Sequence, residues 1–146
     1  HDERGYPAMN AQAHDKLVRR LKDKIDRAKD RIIILDEDSL EGADVVVVSY
    51  GITARVAERA IQMARSEGIR VGRLRLITVW PFPEKRIRAL ASQVKAFVVP
   101  ELNLGQIVLE VERSAAGQAK VISVPHEGGS VHRPEQILNA IQEAAR

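Results

Sequence analysis

The residues best suited to chemistry form a short polar segment between a strand-like apolar run and a helical one, and it reads Glu101-Leu102-Asn103-Leu104-Gly105-Gln106. A carboxylate is stabilised at a helix N-terminus, so Glu101 and Asn103 could cap the following helix. The segment could instead contact another domain or subunit, with contact residues Glu101, Leu102, Asn103, Leu104 and Gln106. Catalysis by these side chains is a third alternative that the sequence leaves open.

A second group of candidate residues surrounds a glycine pair near the end of the chain. His126, Glu127 and His132 flank Gly128-Gly129, and two histidines with a carboxylate can bind a metal ion. Their spacing matches no familiar metal motif, and few neighbouring residues could orient the histidines. We therefore interpret this segment as a solvated loop and expect no metal site.

A third candidate is an anion site where Gly51 and Thr53 precede a predicted helix, because the N–H groups at a helix N-terminus attract anions. The chain has neither Gly-x-Gly-x-x-Gly nor a P-loop, which are the usual phosphate-binding motifs. We therefore favour a tight turn between strand and helix, with Thr53 as the capping residue.

Composition excludes several other kinds of site. The chain has no cysteine, so it holds no disulfide, no thiolate-bound zinc or iron–sulfur cluster and no cysteine nucleophile. The 23 basic and 20 acidic residues are interleaved along the chain, so we expect no nucleic-acid partner despite the net charge of +3. The longest apolar run is only as long as a strand, so we expect no membrane partner.

The elements that position these loops alternate between strand and helix. A helix is predicted over 10–29, because Leu17, Leu21, Ile25 and Ala28 recur near the helical period. Strands are predicted over 32–35, 45–48, 69–79, 96–99 and 119–124. The run Val45–Val48 does not alternate with polar residues, which is typical of a strand that is buried on both faces.

Further helices are predicted over 54–67, 83–91, 104–115 and 134–145. The alternation of strands and helices from Asp44 onward predicts a mostly parallel sheet between helical layers. Ligands and partners usually approach such a sheet beyond the carboxyl ends of its strands, where the candidate loops lie. Residues 1–9 are polar and turn-rich, so we expect an interdomain linker there and one domain over 10–146.

Three segments resemble a known family in their order and spacing: 44–53 (DVVVVSYGIT), 74–83 (LRLITVWPFP) and 99–111 (VPELNLGQIVLEV). They resemble the C-terminal, or second, domain of the alpha subunit of 2-oxoacid:ferredoxin oxidoreductases, and the members that act on 2-oxoglutarate are the most similar. The opening residues 1–7 resemble the segment that follows the pyrimidine-binding domain of the family. Gly128-Gly129 with His132-Arg133-Pro134 resembles the closing motif of the family.

The resemblance implies a fold like the C-terminal domain of transketolase. That fold is a three-layer α/β/α sandwich with a five-stranded, mostly parallel sheet, in which the first strand, here 32–35, is antiparallel. The resemblance also implies that the whole enzyme oxidatively decarboxylates a 2-oxoacid, here 2-oxoglutarate, to an acyl-CoA and reduces ferredoxin. Thiamine diphosphate, magnesium, iron–sulfur clusters and coenzyme A would then bind to other domains or subunits, and no catalytic, cofactor or metal residue is expected in this chain.

The leading hypothesis is therefore a non-catalytic structural and assembly domain that is inactive in isolation. The resemblance implies three partners: the preceding pyrimidine-binding domain of the same alpha subunit, the beta subunit, and ferredoxin for the whole enzyme. We expect a cytoplasmic protein. The alternatives are a free-standing domain that binds coenzyme A or a nucleotide, and the equivalent domain of another thiamine-dependent enzyme.

Overall fold

The centre of the chain is a five-stranded sheet with the strand order β1-β3-β2-β4-β5 in a computed structural model that describes residues 1–146. The strands are β1 (Leu35–Asp38), β2 (Val45–Tyr50), β3 (Val71–Leu76), β4 (Ala96–Glu101) and β5 (Lys120–Pro125). β1 pairs antiparallel with β3, and the other neighbouring strands are parallel. The expected mixed sheet with an antiparallel first strand is confirmed.

Helices cover both faces of this sheet. The five helices of the chain are α1 (Ala11–Ile32), α2 (Thr53–Ser66), α3 (Glu84–Ala91), α4 (Ile107–Ala115) and α5 (Pro134–Ala145). One apolar cluster joins α2 and α5 to one face, and a second cluster joins α3 and α4 to the other. The predicted three-layer sandwich is therefore confirmed. None of the helices combines the length and apolar character needed to cross a lipid bilayer.

The valine run of β2 holds the three layers together. Val45 and Val47 pack toward α2 and α5, whereas Val46 and Val48 pack toward α3 and α4. All four are fully buried, and each contributes about 1.5–3 kcal/mol through the removal of its side chain from water. The prediction of a central strand at Val45–Val48 is confirmed.

The predicted strand at 32–35 is wrong in its position. Helix α1 continues to Ile32, because the apolar residues Ile25, Ala28 and Ile32 keep the helical period, and the strand begins only at Leu35. The observed strand is acidic, with the sequence Leu-Asp-Glu-Asp, and has little intrinsic preference for β structure. Pairing with β3 stabilises it, including an ion pair between Asp36 and Arg73 at 2.8 Å.

Other predicted boundaries also move. Strand β3 is shorter than the predicted 69–79, and α4 begins at Ile107 rather than at residue 104. Thr53 is the first residue of α2 and not its cap; Ile52 occupies the N-cap position with helical backbone angles and no capping side chain. Residues 1–9 contain no helix or strand, and their role as an interdomain linker stays a prediction.

Candidate functional site

Glu101 ends the central strand β4 with a fully buried side chain that reaches the N-terminus of α4. Its Oε1 accepts a hydrogen bond from the Ile107 N–H at 2.9 Å, and its Oε2 accepts from the N–H groups of Gln106 and Val108 at 3.0 and 2.9 Å. The first N–H groups of a helix have no partner within the helix. The carboxylate supplies that partner, so the capping interpretation holds for Glu101.

The surroundings of Glu101 favour its charged form. Burial raises the pKa of this carboxyl group, but the hydrogen bonds from Ile107, Val108, Gln106 and Tyr50 outweigh burial, and the net effect lowers the pKa below its usual value. The negative charge also lies at the positive end of the α4 dipole. Glu101 is therefore an anion whose hydrogen-bonding capacity is used by its own domain.

Asn103 does not cap α4, contrary to one of the alternatives for this segment. Its Oδ1 accepts from the N–H of Gly105 at 2.8 Å and closes a tight turn, at which Gly105 has a φ of +108°. Its Nδ2 donates to the Tyr50 hydroxyl at 3.2 Å and to Glu101 Oε1 at 3.3 Å. Asn103 therefore holds the loop in place and joins it to the neighbouring strand.

Tyr50 is the member of this site that sequence reasoning missed. It ends β2, which lies beside β4, and its hydroxyl donates to Glu101 Oε1 at 3.0 Å. Burial and the nearby Glu101 carboxylate raise the pKa of the Tyr50 phenol, so it remains a donor. The only signal in the sequence was its place at the end of the valine strand, next to Gly51.

The other predicted contact residues point away from this network. Leu102 is 39% exposed and Leu104 is 79% exposed, although both are large and apolar. Gln106 is exposed and its side chain makes no capping hydrogen bond. The segment 101–106 thus presents two leucines and an amide on a base that Glu101 and Asn103 hold rigid, while its contact with a partner stays a prediction.

The same edge of the sheet carries further exposed apolar side chains. Of the twelve large apolar residues that are exposed, seven lie in segments that border the carboxyl ends of the parallel strands: Ile34, Ile52, Ile77, Trp80, Leu102, Leu104 and Val131. Apolar side chains that gather on one side of a domain are typical of interaction surfaces.

The two histidines that flank Gly128-Gly129 form hydrogen bonds within their own segment of the chain. His132 is buried and its Nε2 lies 2.8 Å from the carbonyl oxygen of Val124, so the proton is assigned to Nε2. His126 Nε2 lies 2.8 Å from the Ser130 hydroxyl, and the two histidine rings are 5.0 Å apart. Glu127 is exposed, and no group of three or more possible metal ligands is found.

Comparison with known sequences identifies the family. Residues 43–137 match the family described as pyruvate:ferredoxin oxidoreductase core domain II. The chain belongs to this family. The matched residues include strands β2 to β5, helices α2 to α4 and the Glu101 network.

Two similar proteins have names that refer to 2-oxoglutarate. The chain is 48% identical over 142 residues to the 2-oxoglutarate synthase subunit KorA of Methanothermobacter marburgensis, an alignment that covers 97% of this chain and 38% of that subunit. It also matches a 2-oxoglutarate:ferredoxin oxidoreductase from Magnetococcus marinus with 2-oxoglutarate, coenzyme A and succinyl-CoA bound. There the TM-score is 0.83 at 27% identity, covering 100% of this chain and 26% of that one.

A third comparison concerns the fold alone. A split-gene transketolase, described as an inactive beta4 tetramer, superposes with a TM-score of 0.64 at 22% identity, over 75% of this chain and 41% of that one. The expected transketolase-like fold of core domain II is confirmed. The family match and the KorA relative favour membership of the oxidoreductase family. They do not favour a free-standing ligand-binding domain or a domain of another thiamine-dependent enzyme.

Proposed function

We propose that this chain is the non-catalytic assembly domain of the alpha subunit of a 2-oxoglutarate:ferredoxin oxidoreductase. The proposal rests on the hydrogen bonding of Glu101, the only buried carboxylate of the domain. Three backbone N–H groups and two side chains already donate to it, so no lone pair is left for a substrate proton or a metal ion. The site is therefore suited to fixing the conformation of the loop 101–106.

The whole enzyme, in this proposal, converts 2-oxoglutarate and coenzyme A to succinyl-CoA and carbon dioxide and passes electrons to ferredoxin. The similarity to KorA and to the Magnetococcus marinus enzyme supports this substrate. Thiamine diphosphate, magnesium, iron–sulfur clusters and coenzyme A belong to other domains or subunits. The residues present here do not fit those groups, because the chain has no cysteine and no phosphate-binding motif.

The partners in this proposal are the preceding pyrimidine-binding domain of the same subunit and the beta subunit, in the cytoplasm. The chain spans 38% of the length of the KorA relative, so most of the subunit lies outside it. Leu102, Leu104 and Gln106 form the contact, with Glu101 and Asn103 as the rigid base. Exposed leucines on an ordered loop suit such a contact, because little conformational freedom is lost when the loop binds.

The test compares two exposed leucines in the complete enzyme. We expect Leu104→Ser to weaken the association of the subunits, seen as dissociation at higher protein concentration in analytical ultracentrifugation, while the assembled enzyme keeps its turnover number. Leu109→Ser is the matched control, because Leu109 is 59% exposed on α4 outside this loop. If both variants assemble like the native enzyme, the contact is wrong.

Activity of the chain alone is measured separately. We expect no decarboxylation of 2-oxoglutarate and no binding of thiamine diphosphate by titration calorimetry. Equilibrium dialysis against coenzyme A addresses the free-standing alternative, which requires binding to the isolated chain. Tight binding of either molecule would contradict the assembly role.

A further inference from the structure

Helix α1 is the only helix of the domain without a buried residue. Its 22 residues span about 33 Å. Apolar side chains recur along one side at alternating intervals of three and four, at Val18, Leu21, Ile25, Ala28 and Ile32. This heptad spacing is typical of a helix that packs against another helix.

Only the second half of this apolar stripe is covered by the domain. Ile25 lines a cleft of about 340 Å³ with Trp80 and Ile107, and Lys29 forms an ion pair with Glu84 at 3.9 Å. The first half of the stripe has no such cover: Val18 is 48% exposed and Leu21 is 52% exposed. The stripe therefore continues beyond the edge of the domain.

Trp80 lines the same cleft as Ile25 and is itself 68% exposed. Tryptophan is enriched among the few interface residues that contribute most to binding, because a large flat ring fills a pocket well. The cleft has both apolar and charged lining residues, and the exposed stripe residues Val18 and Leu21 continue from Ile25 along α1. We call the cleft and this exposed part of the stripe together the α1–Trp80 groove.

The charge of α1 indicates what kind of partner is complementary to the groove. The helix has eight lysine or arginine residues and four aspartates, a net charge of +4, whereas the whole chain has +3. Three aspartates are used in ion pairs within the helix, Asp15 with Arg19, Asp23 with Arg27 and Asp26 with Lys22.

Three basic residues beside the stripe remain without an acidic partner. Arg20, Lys24 and Arg31 each adjoin a stripe residue, and none of the three takes part in an ion pair. A second copy of α1 would place like charges along the seam, which is unfavourable. A partner with carboxylates at its flanks is complementary.

We propose that the α1–Trp80 groove binds an amphipathic helix with acidic flanks that lies in the part of the enzyme outside this chain. The inference rests on the proposed function, because it places that helix within the same oxidoreductase. The 38% of the KorA subunit that this chain spans leaves most of the enzyme to supply the partner. The uncharged stripe favours a protein over a nucleic acid, whose contacts go largely to phosphates.

The test is photo-crosslinking in the complete enzyme. p-Benzoylphenylalanine replaces Leu21 in one preparation and Leu109, an equally exposed leucine on α4, in the control. We expect position 21 to crosslink to an acidic helical peptide outside residues 1–146, with a yield about tenfold above that at position 109. Lys24→Glu should lower the yield from position 21 about fivefold, whereas Lys85→Glu, an exposed lysine on α3, should not.

Three results would overturn the groove: a yield at position 21 equal to that of the control, a crosslink to a second copy of residues 1–146, or a crosslink to nucleic acid. Ferredoxin reduction by the same preparations keeps the two proposals distinct. An enzyme that oxidises 2-oxoglutarate without the expected crosslink contradicts the groove alone. An enzyme that gives the crosslink without oxidising 2-oxoglutarate contradicts the proposed function alone.

Discussion

The Glu101 network and helix α1 differ in where their polar groups find partners. Around Glu101, buried donors and acceptors from β2, β4 and α4 pair with one another inside the domain. In α1 no residue is buried, and the polar contacts are mostly exposed ion pairs between residues four apart. Such pairs add little to stability. The polar groups of the first region are satisfied within the domain, whereas in the second region the domain leaves the first half of an apolar stripe uncovered.

The loop 101–106 and helix α1 therefore differ in which contacts stabilise them. The loop 101–106 is held by hydrogen bonds within the domain, so in the proposed assembly it would offer a rigid surface. The first half of the α1 stripe is exposed, and in our proposal a helix outside residues 1–146 covers it. Mutations in the two regions should therefore separate the stability of the domain from the stability of the assembly.

The largest expected effect comes from matched valines in the core and in α1. Val47→Asp should unfold the isolated domain, because an unpaired buried carboxylate costs several kcal/mol against a total stability of about 5–15 kcal/mol. Val18→Asp should change the free energy of unfolding by less than about 0.5 kcal/mol, because Val18 is half exposed. Urea denaturation followed by circular dichroism measures both. A large loss for Val18→Asp would show that α1 is already part of the cooperative core.

The next effect tests the charge of Glu101. Glu101→Gln keeps the side-chain shape but turns an amide group toward backbone N–H donors, so we expect a loss of about 1–3 kcal/mol at pH 7. The pKa of Glu101 is lower in the folded protein than its usual 4.5, so its stabilising contribution is present above about pH 4.5. It is lost as the pH falls through the folded pKa. The difference between native and variant should therefore shrink below about pH 4.5, and a constant difference from pH 7 to pH 3 would contradict the role of the charge.

The fold was predictable because its main signals are local. The valine run and the regular alternation of strands and helices are properties of short segments, and burial on both faces follows from their composition. Strand β1 was misplaced for the opposite reason. Its acidic residues become a strand only through partners on β3 and α2, such as Arg73 for Asp36 and Arg65 for Asp38.

The candidate site was predictable in part. Glu101 and Asn103 were recognised from their residue types beside a predicted helix. The capping residue lies six positions before Ile107, so the usual rule that places the cap next to the helix gave the wrong helix start. The role of Tyr50 could not be predicted from the sequence. It depends on β2 and β4 being neighbours in the sheet, which the order of the strands along the chain does not determine.

The smallest expected effects distinguish the base of the loop from its outer surface. Asn103→Ala removes the hydrogen bonds to Gly105 and Tyr50, so we expect the isolated domain to lose about 1 kcal/mol. Gln106→Ala should leave the melting temperature unchanged within error, because the Gln106 side chain is exposed and makes no capping hydrogen bond. Differential scanning calorimetry of the two variants gives the comparison.

The assembled enzyme should reverse the order of these two variants if the outer surface is a contact. Gln106→Ala then weakens subunit association although the isolated domain is unaffected, because its amide would lose a partner that only the complex supplies. Asn103→Ala should weaken association only as far as the loop loses its shape. Equal melting temperatures for both variants would show that Asn103 does not hold the loop. Normal assembly of Gln106→Ala would restrict the contact to Leu102 and Leu104.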